Sequence, residues 1–157
     1  MTTFQQTEIH SPEPGALSLC ATNPSSGNAV DRVTPVELRG MRALLVEDSW
    51  HVAEAMRSLL ENIGIEIVGP AGTLANAERL AESATYDLAV VDINLRGEMA
   101  YGLIERLCDR GIPVVIISGN ALPPSFATRV AAVLQKPVRI GPFMVALRRI
   151  ADQRGAQ

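Results

Sequence analysis

Three carboxylates, a hydroxyl and an ammonium each stand at, or one residue beyond, the end of a short apolar run: Glu47 and Asp48, Asp92, Ser118, and Lys136. One acid closing an apolar run says little by itself, because such a residue often just ends a strand. Brought to one place, the same residues would form a specific kind of site. Three acids repel one another, and a hard divalent cation such as Mg²⁺ suits them, since it takes oxygen ligands, keeps several waters and accepts one or two carboxylates plus a phosphoryl oxygen. Lys136 adds a point charge. With that positive charge nearby, a dianionic phosphoryl group can approach Asp92, whose ionised carboxylate needs no base to attack phosphorus and form an acyl phosphate. Ser118 and the backbone amides after Asp92 and Ser118 are suitable donors to the phosphoryl oxygens.

The elements that must position these groups follow from the hydrophobic pattern. Residues 88–91 (LAVV) are uninterruptedly apolar, as suits a strand buried on both faces, and Asp92 closes them ahead of a loop holding Asn94, Arg96 and Gly97. Residues 43–46 form a first strand ending in Glu47 and Asp48. Ser49 then caps a helix whose apolar face is Val52, Met56, Leu59, Leu60 and Ile63, and Gly64 follows where a helix end favours positive φ. A second strand over 65–68 is stopped by Gly69-Pro70, and Thr73 caps a helix carrying Leu74, Ala77, Leu80, Ala81 and Ala84. A third helix over 99–109 closes at Gly111. The fourth strand, 113–117, delivers Ser118 and Gly119. Pro123-Pro124 then leaves room for only a short or irregular fourth helix near 126–130. A fifth strand over 131–134 ends at Gln135, Lys136 and Pro137, and a last helix spans 141–151 with Phe143, Val145, Leu147 and Ile150 on its apolar side.

Five strands alternating with five helices predict an α/β, doubly wound parallel sheet, with crossovers of one hand. In a flavodoxin-like order, 2-1-3-4-5, strands one and three are neighbours and the crevice opens at their C-terminal ends. That order would point every residue of the opening set into one pocket.

Composition narrows the function classes. Hydrophobic residues make up 47% and charged residues 20%, which fits a globular domain rather than a disordered chain. A net charge of -3 with no basic block argues against a nucleic-acid partner, and 4% aromatics are too few for a base-stacking surface. Two cysteines, Cys20 and Cys108, make neither a disulfide framework nor a metal site, and Cys108 reads as a buried structural thiol. No signal peptide and no membrane span is visible, so a cytoplasmic location is expected. Residues 1–40 differ from the rest: Pro12, Pro14, Pro24, Pro35 and the NPSSGN stretch interrupt any apolar period. They read as a flexible tail with local order near Val36 and Leu38, followed by a folded domain over 41–151 and a short tail over 152–157. Met41 offers an alternative start of translation, which an intact mass beginning at Met1 rules out.

The ordered set Glu47-Asp48, Asp92, Ser118-Gly119 and Lys136-Pro137, each member at its own strand end, resembles the receiver domain of two-component response regulators over about residues 41–151. The resemblance implies that Asp92 is the phosphoacceptor. It implies Mg²⁺ held by Asp48 directly, by Glu47 through water, and by Asp92 and the backbone carbonyl of Asn94. Ser118 would follow the phosphoryl group, Lys136 would pair with it, and Lys136-Pro137 would be cis. It further implies a histidine kinase or histidine phosphotransfer protein as donor, and a downstream protein contacted through the fourth-helix to fifth-helix region. No output domain is expected after the last helix, and no turnover of a separate substrate is expected.

Two features depart from that family pattern. Val133 stands where an aromatic is usual on the fifth strand, and the interval from Ser118 to Lys136 is about one helical turn short. Output geometry is therefore the open part of the reading, and the fourth-helix segment is expected to order on phosphorylation or partner binding. The rival is a constitutive interaction module of the same fold, binding its partner whatever the state of Asp92. A small Mg²⁺-dependent phosphohydrolase is weaker, because no second acid stands ready to activate water. Among flanking residues, Trp50 is expected half covered and His51 exposed. Arg148 and Arg149 are explained by the helix dipole, and Asn120 is a loop residue that could influence phosphoryl lifetime.

Overall fold

The computed structural model describes residues 38–156. Its strands and helices follow the alternation of the sequence: β1 (Arg42–Val46), α1 (Trp50–Asn62), β2 (Glu66–Ala71), α2 (Leu74–Ser83) and β3 (Leu88–Asp92) come first. A two-residue pair, β4 (Asn94–Leu95) and β5 (Glu98–Met99), precedes α3 (Tyr101–Asp109). Then come β6 (Val114–Ser118), α4 (Pro124–Ala127), β7 (Ala132–Gln135) and α5 (Ile140–Gly155). The five long strands are all parallel, in the order β2-β1-β3-β6-β7, which is the expected doubly wound sheet.

Period-two alternation along the strands divides the core into two layers. Ala43, Leu45, Leu88, Val90, Val115 and Ile117 face Leu60 of α1 and Phe143, Leu147 and Ile150 of α5. Leu44, Val46, Ala89, Val91, Val114 and Ile116 face Ala77 and Ala81 of α2 and Leu103, Ile104 and Leu107 of α3. β3 and β6 are buried at every position, so the strands that end in Asp92 and Ser118 are the most enclosed of the sheet.

Local signals act as their chemistry dictates. The Thr73 hydroxyl caps α2 by accepting from the Asn76 amide at 3.3 Å. Ser49 occupies the N-cap position of α1 without such a bond. Gly64 has φ 90°, and the Ile65 amide reaches back to the Leu60 carbonyl at 3.0 Å, closing α1.

Several elements differ from the pattern-based expectation. β2 does not stop at Gly69-Pro70 but runs to Ala71, with a register shift opposite β1. It is an edge strand, where a proline removes no ladder bond that a neighbour needs. The Gly69-Pro70 and Lys136-Pro137 bonds are cis, the second as the family resemblance implies. α4 is a single turn at Pro124–Ala127, upstream of the expected segment, because Pro124 sits in its first turn where no amide is required. α5 continues past Ala151 to Gly155. Leu38 is fully buried against the α1/α5 layer, and the Gly40 amide donates to the Gly64 carbonyl at 2.9 Å. The rest of the segment read as a tail lies outside the described residues.

Candidate functional site

Parallel pairing brings the C-terminal ends of β1, β3, β6 and β7 to one edge of the sheet. Val46 lies beside Val91, Asp92 beside Ile117, and Ser118 beside Gln135. The side chains predicted from the sequence therefore converge. One carboxylate oxygen from each of Glu47, Asp48 and Asp92 lies within 4.8 Å of the others. Glu47 is 3% exposed, Asp92 4% and Ser118 2%, whereas Asp48 is half-buried.

Lys136 is the only cation that reaches this cluster among the described residues. Its Nζ lies 2.7 Å from Asp92 Oδ2 and 3.2 and 3.4 Å from the two oxygens of Glu47. Burial pulls the lysine pKa down, but hydrogen bonds and charge from Asp92 and Glu47 outweigh it, and the group is held above its ordinary value. Burial pushes the Glu47 carboxyl above its ordinary value and the Asp92 charge adds to this. The Ser49 amide, at 3.1 Å from Oε1, and Lys136 oppose it.

One ammonium against three carboxylates leaves two negative charges uncompensated when all are ionised. At an effective dielectric near 20, each pair of like charges at this separation repels by roughly 3 kcal/mol. A divalent cation restores balance, and the donor set, all hard oxygens on one side of an open crevice, suits Mg²⁺ rather than a soft metal.

The loops complete the site. The Asn94 amide donates to Asp92 Oδ1 at 3.2 Å, and the Arg96 amide to Asp48 Oδ2 at 3.0 Å. The Ser118 hydroxyl is engaged with Asn120, donating to its carbonyl at 2.8 Å and accepting from its amide at 3.1 Å. A cavity of about 410 Å³ opens over Asp92, bordered by Asp48, Ser118, Asn120 and Lys136, and also by Met99, Tyr101 and Leu122. A larger cavity, about 640 Å³, lies at the opposite end of the strands beside Asp87 and Pro113. Two of its arginines, Arg154 and Arg129, are already paired with Asp87 and Asp109, and it shares no residue with the acidic cluster.

Flanking residues are less uniform. Trp50 is 70% exposed rather than half covered, because it starts α1 on the solvent side and touches His51 edge-on, with ring centroids 5.1 Å apart. His51 is exposed, as expected. Cys108 is half-buried rather than buried. Its Sγ donates to the Arg129 carbonyl at 3.5 Å, and burial raises its pKa, which makes it a poor nucleophile. Arg148 and Arg149 lie on α5, away from the cavity over Asp92. The contributions of Arg96, Tyr101 and Leu122 were not legible from type and spacing. The one available signal was Gly97, a turn residue two positions before an exposed apolar Met99.

A sequence model of the response regulator receiver domain matches residues 43–147. No curated protein matches the chain. Among solved structures, the chain is similar to SdrG from Sphingomonas melonis Fr1, with 32% identity over 70% of this chain and 95% of that one, at a TM-score of 0.62. It also resembles a CheY-like receiver domain protein from Methanospirillum hungatei JF-1 (22% identity, 74% and 97% of the two chains, TM-score 0.67). A third likeness is to the response regulator TrrA from Thermotoga maritima, solved in complex with Mg²⁺-BeF (18% identity, 70% and 98%, TM-score 0.63).

Proposed function

Because the chain belongs to the response regulator receiver domain family, we propose that it accepts a phosphoryl group on Asp92, with Mg²⁺, from a histidine kinase or a histidine phosphotransfer protein. The observation that carries this reading is the convergence of Glu47, Asp48, Asp92, Ser118 and Lys136 from four strand ends onto one crevice. An oxygen of Asp92 attacks phosphorus, the bond from phosphorus to the donor imidazole nitrogen breaks, and that nitrogen leaves with the bonding pair. The product is an acyl phosphate on Asp92. Mg²⁺ would be held by Asp48, Asp92 and the Asn94 carbonyl, with Glu47 through water, and would supply charge neutralisation for the phosphoryl oxygens.

The chain's own groups do the rest. Lys136 already holds Asp92 Oδ2, and its ammonium can follow charge onto the phosphoryl group. The Ser118 hydroxyl must leave the Asn120 carbonyl to donate to that group, so phosphorylation pulls on the loop that leads into α4. The downstream partner is contacted through the α4-β7-α5 region, in the cytoplasm, with no turnover of a separate substrate. No helix of the described residues is long and apolar enough to cross a membrane.

Intact mass after incubation with Mg²⁺ and a small acyl-phosphate donor tests the chemistry. One added phosphoryl group is expected on the wild type, none on Asp92→Asn, and none with chelator. The same adduct on Asp92→Asn would remove Asp92 from the mechanism.

A second reading, a constitutive interaction module, is favoured by one observation. Val133, 39% exposed on β7, stands where the family's aromatic partner of the hydroxyl is usual. Partner affinity that neither Asp92→Asn nor a phosphoryl mimic changes would establish this alternative.

A further inference from the structure

Charge is divided unevenly along the folded chain. From Met41 to Gly111 twelve acids stand against six arginines, whereas from Ile112 to Gln157 six Lys and Arg residues stand against one acid, Asp152. Of those six, Lys136 is taken by the acidic cluster, Arg129 pairs with Asp109 at 2.5 Å, and Arg154 pairs with Asp87 at 2.7 Å. Arg139, Arg148 and Arg149 make no ion pair among the described residues. The helix dipole does not account for the last two. α5 continues to Gly155, so they stand more than a turn before its end, and the dipole acts within the last turn, which Arg154 occupies.

Arg149 has a defined setting. Val145, Arg149 and Gln153 follow at four-residue steps and share one exposed face of α5. Arg149 and Gln153 line the cavity of about 640 Å³ together with Arg129 and Arg154. The apolar part of its lining is Ile112, Val130 and Ala131, half-buried, and Ile150, buried. Val145, 51% exposed, adds an apolar side chain one turn before Arg149. Arginines beside apolar walls suit a segment that carries carboxylates and apolar side chains together. A guanidinium takes a carboxylate through two parallel N–H donors, and an apolar side chain entering the cavity is withdrawn from water. Size chooses among polyanions. A nucleic-acid duplex or an anionic bilayer extends well beyond a Debye length of about 8–10 Å and would also meet the acidic remainder of the domain. A peptide segment covers the basic part alone.

We infer that the outward face of α5 and the cavity beside it form the docking surface for an acidic, partly apolar segment of a protein partner. Arg149 is its principal carboxylate ligand, and Arg129, held by Asp109 in the free domain, is the second. The inference deepens the α4-β7-α5 contact proposed above and rests on that reading, but not on the chemistry at Asp92.

Fluorescence anisotropy tests it, with the full chain titrated into a labelled amphipathic peptide of Glu, Leu and Ala. The same peptide with Lys for Glu, a labelled DNA duplex, and co-sedimentation with phosphatidylserine vesicles run beside it. The acidic peptide is expected to bind, and to bind more weakly as ionic strength rises through about 0.1 M. Arg149→Glu is expected to weaken binding by about tenfold or more. Arg149→Lys should cost less, since the charge stays and only the fork is lost. Arg79→Glu makes the same change of net charge on α2, which packs on the other face of the sheet, and is expected to leave affinity unchanged. Asp109→Asn is expected to tighten binding by roughly two- to fivefold, because it releases Arg129 from an exposed pair. These side chains are all exposed, so melting temperatures near wild type separate a lost contact from a lost fold. Equal affinity in wild type and Arg149→Glu, or an equal loss in Arg79→Glu, overturns the inference. So does failure of the acidic peptide to bind, and duplex or vesicle binding in its place assigns the face to that polyanion. Intact mass on the same samples keeps the two readings apart. A phosphoryl group on Asp92 without peptide binding removes only this inference, and Arg149-dependent binding without phosphoryl acceptance removes only the Asp92 chemistry.

Discussion

Lys136 stands between two buried carboxylates, 2.7 Å from Asp92 and 3.2 Å from Glu47, with about a third of its own side chain exposed. Its pKa is raised above the ordinary 10.5, so its contribution to stability is complete below that value and is lost as pH rises through the raised one. Glu47 has the opposite sense. Its raised pKa means that folding disfavours the ionised form, a penalty absent in acid and complete above the raised pKa. Lys136→Met should therefore destabilise the metal-free domain by about 1–3 kcal/mol at neutral pH, less than a fully enclosed pair because of the partial exposure. The deficit in urea midpoint should shrink as pH falls through the carboxylate range, and also on adding Mg²⁺. A deficit indifferent to both would mean that Lys136 acts by packing and not by charge.

At the scale of elements, the segment before β1 and the turn of α4 behave differently. Leu38 is fully buried beside α1 and α5, and its turn lies against Gly64, where a Cβ would come within 2.7 Å of Arg39 Cγ. Leu38→Ala is expected to lower stability by about 2–5 kcal/mol, read from chemical denaturation. A chain begun at Met41 should show a comparable loss, because it lacks the same side chain. α4 has one turn and no buried residue, and its clearest anchor is Phe126 against Tyr101, with ring centroids 4.8 Å apart. Tyr101 also borders the cavity over Asp92, so this pair links the crevice to α4 without an aromatic on β7. A Mg²⁺-dependent phosphoryl mimic should slow amide exchange over residues 119–130, and Phe126→Ala should weaken that slowing. Exchange unchanged by the mimic would count against α4 as the route to output.

For the molecule as a whole, an ion that binds only the folded domain stabilises all of it by mass action. At a concentration about 100 times its dissociation constant, the gain is roughly 2.7 kcal/mol. In a domain of this size that should raise the melting temperature by at least about 5 °C. Asp48→Asn should cancel most of the rise while leaving the metal-free value near or above wild type, since it also removes one repelling charge from the cluster. A melting temperature that Mg²⁺ leaves unmoved in the wild type would mean that the folded domain does not bind the cation, and a rise that Asp48→Asn keeps would place it elsewhere. Val133, Ile140 and Val145 are exposed on β7 and α5, within the region proposed above for partner contact.

The sequence by itself determined the alternation of strands and helices and the residue that ends each strand. Apolar periodicity, caps and glycine stops are local signals, and the single hand of parallel crossovers leaves few ways to order the strands. Even the convergence of Glu47, Asp48, Asp92, Ser118 and Lys136 was legible, because strand ends are where an open parallel sheet forms its crevice. What only the tertiary structure decided is where each polar atom points. Lys136 meets Glu47 across 89 residues of chain and the Arg96 amide meets Asp48 across 48, and no periodicity encodes such meetings. The turn of Ser118 towards Asn120, the exposure of Trp50, the burial of Leu38 and the passage of β2 through Gly69-Pro70 are of the same kind. Each depends on the register and packing of elements distant in sequence, which fix side-chain direction only after the sheet has closed.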